Sequence, residues 1–227
     1  MKKYAVLYEP GDIVTLAGTR FVVLDVERRG SLPDSLFLLA LESVGTSEFG
    51  SYNNYAKSDL KKAVEKWLED MGKRGLDNDK LIPREIDLTT LDGSGYYGKL
   101  SVKAAPLTLD EAGKYADIIP NAERWCWLAT GWSDPSKSDS DLVLDVSSNG
   151  DCCRDFCGNL LGIRPALKVP SILFEDSEAG LDLSKIPTDE LLQEIHRRLA
   201  EKAWVPISWQ KHGRRRKHRW GSKSRMW

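Results

Sequence analysis

No run of about 20 apolar residues, the length a helix needs to cross a bilayer, occurs in these 227 residues. The opening MKKYAVLYEPGD has two lysines but only a short apolar patch before Glu9-Pro10, so no secretory signal is expected. Histidine is scarce, and all three copies fall in the C-terminal extension. No Ser/His/Asp set, phosphate-binding loop or paired acid stands out either, so catalysis is not expected. The four cysteines are Cys126, Cys152, Cys153 and Cys157. Without a secretion signal the default is free thiols. A structural zinc site wants two closely spaced ligand pairs. Cys153 and Cys157 make one such pair, but the nearest histidine is His196. Neither a metal nor a cofactor is implied.

What is present is ordinary for a globular domain: 41% hydrophobic and 30% charged residues. A net charge of −1 conceals an asymmetry, because residues 211–227 hold eight Lys/Arg and no acid. Residues 1–210 therefore carry 25 Lys/Arg against 34 Asp/Glu, a balance of −9. An acidic body with a basic tail reads as an interaction tail or as disorder.

Residues 12–26 read as two β-rich runs joined around Ala17-Gly18, a hairpin signal. Leu36–Leu41 form a third, nearly continuous apolar strand suited to burial on both faces. Ser58 caps a helix with Asp59 in its first turn. Leu60, Ala63, Val64, Trp67, Leu68 and Met71 line one face, and Gly72 is placed to stop it. Residues 73–106 read as mostly irregular, with a turn at Asp92-Gly93-Ser94-Gly95 and a short strand at Leu100–Val102. Thr108-Leu109-Asp110-Glu111 is a capping box opening a short helix through Tyr115. Past Val169, Glu175–Leu183 is acidic and loop-like, and Thr188 caps a helix with Leu191, Leu192, Ile195 and Leu199 on one stripe.

The stretch that organises the chain is Trp125–Leu167. Trp125, Trp127 and Leu128 open it as a core-lining aromatic strand, and Gly162-Ile163-Arg164-Pro165-Ala166-Leu167 closes it. Between them come a polar loop, a turn at Asn149-Gly150 and a chemically mixed filling from Asp151 to Asn159 that follows no core alternation. Arg164 reads as a buried pin needing a carboxylate or carbonyls. A fixed frame around an irregular middle suggests a scaffold presenting a changeable surface.

The block W-x-W-L, then V-x-S-N-G, then eleven residues and G-I-R-P-A-L resembles the C-type-lectin-like domains of phages and gut bacteria. More narrowly, it is similar to the variable proteins of diversity-generating retroelements. The upstream helix at Trp67-Leu68 and the Asp92-Gly93 turn fit the same pattern, over roughly residues 10–170. Ala129-Thr130 stands where such proteins tend to have Arg-Ser, and some sixty residues follow the motif. In these systems adenine replacement never yields Lys, Glu, Gln, Met or Trp. Those five types make up 45 of the 227 residues, yet residues 138–167 contain none of them.

The resemblance implies an α+β, C-type-lectin-like domain over residues 1–170, with mixed and antiparallel sheets and two helices. The resemblance leaves residues 171–227 unexplained, and from their own sequence they read as a helical, basic extension. It implies no enzyme but a display protein, phage or prophage encoded, in the virion or cytoplasm. Its protein or cell-surface ligand would meet Trp132, Asp134, Ser138, Asp139, Ser140, Asp151, Cys153, Arg154, Asp155, Phe156, Gly158, Asn159 and Leu161. Residues 181–227 would serve self-assembly or attachment to a virion or carrier protein. The alternative is a nucleic-acid-associated protein holding phosphates and bases through Arg214, Arg215, Arg216, Lys217, Arg219 and Trp220. A third reading, a relative of formylglycine-generating-type oxidases using a cysteine pair, lacks the accompanying glycine-serine signature.

Overall fold

The computed structural model describes residues 8–29, 32–137 and 139–174. All of them fall in the first of two compact units, Met1–Gly180. The expected helix after Thr188 and the basic tail lie outside the described residues.

Three antiparallel strands begin the chain: β1 (Ile13–Leu16), β2 (Thr19–Arg29) and β3 (Leu32–Ala40). The β1–β2 turn puts Ala17 at φ 46° and Gly18 at φ 75°, the paired left-handed residues a tight hairpin requires. Strand β12 (Ala166–Pro170) pairs with β3, and β7 (Ala104–Ala105) with β12, closing a five-stranded sheet ordered β1-β2-β3-β12-β7. Leu36, Leu38, Leu39 and Ala40 are all buried, as the unbroken apolar run predicts.

Helix α1 (Asp59–Lys73) starts where Ser58 Oγ accepts the Lys61 amide at 2.9 Å. Leu60, Val64, Leu68 and Met71 face the core. Its end differs from expectation: the helix passes Gly72, and the left-handed glycine is Gly75 at φ 102°. Asn78 Nδ2 donates to Leu68 O at 2.9 Å, and a Cβ on Gly72 would lie 2.9 Å from that same nitrogen. Gly72 thus makes room for a capping amide.

Residues 73–106 are more regular than their sequence suggests. Strands β5 (Arg84–Asp87) and β6 (Lys99–Val102) form an antiparallel ribbon that buries Ile86 and Val102. Helix α2 (Leu109–Lys114) carries the reciprocal capping box of Thr108 and Glu111. Glu111 also pairs with the buried Arg84, whose Nη2 donates to Ala105 O and Pro106 O, each at 3.0 Å.

The second five-stranded sheet is ordered β10-β9-β8-β11-β4. Its strands are β4 (Thr46–Ser47), β8 (Cys126–Gly131), β9 (Leu142–Val146), β10 (Cys152–Phe156) and β11 (Leu161–Gly162). Trp127 is buried at the centre, edge-on to Phe49 with ring centroids 5.7 Å apart, and its Nε1 donates to Ser47 O at 2.8 Å. Trp125 does not line the core. It precedes the strand and is 43% exposed. Strand β11 runs parallel to β8, and the approach is close. A Cβ on Gly162 would meet Cys126 Sγ at 2.8 Å and Ser43 Oγ at 2.9 Å, which explains the glycine opening G-I-R-P-A-L. The described residues make a mixed α+β domain of sheets with two α-helices.

Candidate functional site

The filling between the turn and the closing motif is not irregular. It is β10, an edge strand of the second sheet, paired with β9 along its length. Ser147 N donates to Asp151 O at 2.8 Å across the joining turn, and Gly150 takes φ 90° there. Asp151 is exposed at the turn's end.

Side chains opposite one another in a ladder share a face. Cys152, Arg154 and Phe156 therefore lie with Val146, Leu144 and Leu142, and Cys153 and Asp155 with Asp145 and Val143. Arg154 is exposed, its guanidinium carbon 4.2 Å from the centroid of the Trp132 ring. Trp132 packs in turn against the cluster that holds Leu144. Trp132, one of the residues expected on the ligand surface, is thus joined to β10 by a direct cation–π contact. Phe156 is 58% exposed. Asp155 accepts the Phe156 amide at 2.8 Å and the Asn159 side-chain amide, tying off the strand end. The chain then turns inward at Cys157, which is buried, and outward again at Gly158, Asn159 and Leu160. Leu161 belongs to β11 and packs half-buried against the core, so it is framework rather than free surface.

The loop between β8 and β9 is held by its neighbours. Asn53 Nδ2 donates to Ser133 O at 2.8 Å and Leu142 O at 3.0 Å, and Tyr97 Oη donates to Asn53 Oδ1 at 2.6 Å. Leu91 N reaches Gly131 O at 3.0 Å, and Lys137 forms an ion pair with Asp92. That lysine, with Thr90, draws the Asp92 carboxyl down to about 2. Asp134 is buried, not displayed: it accepts Ser136 N at 2.8 Å and Ser136 Oγ, bonds that lower its pKa. Asp139 is exposed and Ser140 half-buried, with Ser140 O accepting Asn53 N at 3.0 Å. Ser138 lies outside the described residues, as do Arg214, Arg215, Arg216, Lys217, Arg219 and Trp220.

Two groups that sequence reasoning missed lie alongside. Tyr97 sits near Asp134, Cys157, Tyr96 and Tyr52, and burial first, then those charges, push its phenol up to about 12. Tyr52 and Tyr96 are 45% and 71% exposed, so aromatic surface flanks the loop that leads to β9. Their signal was the Gly-, Ser-, Asn- and Tyr-rich composition of residues 45–55 and the Tyr96-Tyr97 pair. The second group is Asp145, wholly buried between Trp127 and Cys153 in the ladder, with neither oxygen hydrogen-bonded. Desolvation, then the charge of Asp155, raises its pKa to about 6.

All four cysteines are free. Burial raises every one of these thiols, Cys126 to about 11 and Cys157 to about 12, so each favours the protonated form. Among the described residues no cluster of three His, Cys, Asp or Glu has metal-binding geometry, and no helix is long and apolar enough to cross a membrane.

Comparison with protein-family models, curated proteins and solved structures finds no match to this chain.

Proposed function

We propose that this chain is a ligand-display protein, a variable protein of the retroelement type on a C-type-lectin-like scaffold, carried by a phage or prophage. One coincidence carries the reading. The window free of Lys, Glu, Gln, Met and Trp contains the whole of the edge strand β10. On that strand Arg154 and Phe156 are exposed, and neither belongs to the buried core. Arg and aromatic side chains are enriched at interaction hot spots. Trp132 and the exposed Tyr52 and Tyr96 extend the apolar and aromatic character of the surface. The partner is a protein or cell-surface ligand, and residues 181–227 supply assembly or attachment.

The test is a combined substitution of Arg154, Phe156, Asn159 and Leu160 by other residues of the permitted set. Exposed positions of this kind shift stability by about 0.5 kcal/mol or less each, so the unfolding midpoint should hold. Binding to intact bacterial cells, measured by flow cytometry across a panel of strains, should be lost or redirected. Unaltered cell binding by the variant, or collapse of its fold, sinks the proposal.

A further inference from the structure

A concave feature that neither Tyr52 nor Tyr96 lines lies elsewhere on the domain. Between α2 with the turn that follows it and the β8–β9 ladder is a cavity of about 400 Å³. Leu107, Leu109, Ala112, Ile119, Leu128 and Val146 supply much of its wall. Its volume sits within the roughly 300–1,000 Å³ range of small-molecule sites, which are mostly apolar with a few polar groups that fix orientation. The rim runs from Asn121 to the β9–β10 turn, where a Cβ on Gly150 would stand 3.1 Å from Asn121 Oδ1.

Among the described residues one charged side chain lines this cavity, Arg164. The residue is 7% exposed. Nε donates to Ala40 O at 2.7 Å and Nη1 to Pro120 O at 2.9 Å, which is the pinning role expected from its sequence. Nη2 has no partner. Among the described residues no Asp or Glu lines the cavity, and the partners of this guanidinium are backbone carbonyls. Its pKa is accordingly lowered, by burial, with the Cys126 thiol acting in the opposite sense. A buried cation is ordinarily matched by a counter-charge, because desolvation without one is costly. With Nε and Nη1 engaged by carbonyls, the unpaired Nη2 is the donor left to meet a carboxylate.

We propose that this cavity binds a medium-chain carboxylic acid, its alkyl body against Leu107, Leu128 and Val146 and its carboxylate on Arg164. Charge complementarity selects this occupant over a neutral apolar one, since only an anion relieves the unmatched guanidinium. The site does not depend on the display reading, because none of Arg154, Phe156, Asn159 and Leu160 lines it.

The experiment uses octanoate and octan-1-ol as matched probes, titrated calorimetrically into the full chain. Octanoate should bind roughly tenfold tighter than the alcohol or better, the advantage of one charge-assisted pair. Ala112→Trp places an indole in the cavity from α2 and should abolish both affinities. Arg164→Gln should bring the two probes to parity. Should that variant fail to fold, the wild-type ratio and Ala112→Trp still decide. Equal affinities in the wild type, no binding of either probe, or octanoate binding that survives Ala112→Trp overturns the proposal.

Discussion

Asp145 shows how one side chain sets a pH dependence. Its carboxyl is wholly buried, unpartnered and raised from an ordinary 3.8 to about 6. The folded protein therefore holds this proton more tightly than the unfolded chain does. Below the unfolded value both states are protonated and the group has no effect. As pH rises through about 4 to 6 the unfolded chain ionises first, so stability falls across that window and the full cost persists above it. A rise of that size corresponds to roughly 2–3 kcal/mol as an upper figure. Asp145→Asn should stabilise the protein by up to that amount at pH 7.5 and change little at pH 4. Urea unfolding at the two pH values checks it. An equal effect at both would mean that Asp145 acts through packing and not through charge.

At the scale of elements, the parts legible in the sequence were those governed by local rules. The capping box of α2, the Ser58 cap of α1 and the Ala17-Gly18 hairpin each satisfy backbone groups within a few residues. What escaped was set by long-range pairing. Arg84–Asp87 becomes a strand by pairing with Lys99–Val102 across a loop, and its alternation of buried and exposed residues is too short to stand out. Trp125 and Trp127 look alike in sequence, but only the second falls inside β8 and reaches Phe49. In the candidate surface, Arg154 and Phe156 were legible as exposed chemistry. The burial of Asp134 was not, because the Ser136 bonds and the Asn53 staple that pack its loop come from the local turn and a distant segment together. The α2 start also gives a graded prediction. Thr108→Ala removes one cap and should cost about 1 kcal/mol. Glu111→Ala removes the reciprocal cap and strips Arg84 of its carboxylate, leaving a buried cation held by two carbonyls. It should cost more, about 3 kcal/mol. Chemical denaturation of the pair decides it, and equal losses would show that the Arg84–Glu111 contact contributes nothing beyond the cap.

For the whole molecule the deciding quantity is charge distribution. Residues 1–210 carry 25 basic and 34 acidic side chains, while residues 211–227 carry eight basic and none acidic. If the tail held nucleic acid, each phosphate contact would release counterions and affinity would fall steeply with salt. With at most eight cations in the tail and a net −9 on the preceding chain repelling the same polyanion, the display reading expects weak binding at physiological salt. Random-sequence DNA and RNA, titrated against the intact chain and against a chain ending at Gln210, separate the cases. The expected result is negligible binding by both at about 0.15 M salt, together with a changed oligomeric state or lost particle incorporation in the shorter chain. Tight binding by the intact chain, with a steep salt slope abolished by the truncation, would instead place the function in Arg214–Trp220. The β10 surface would then be ordinary solvated sheet edge, and the substitution at Arg154 and Phe156 should leave every measured activity where it was.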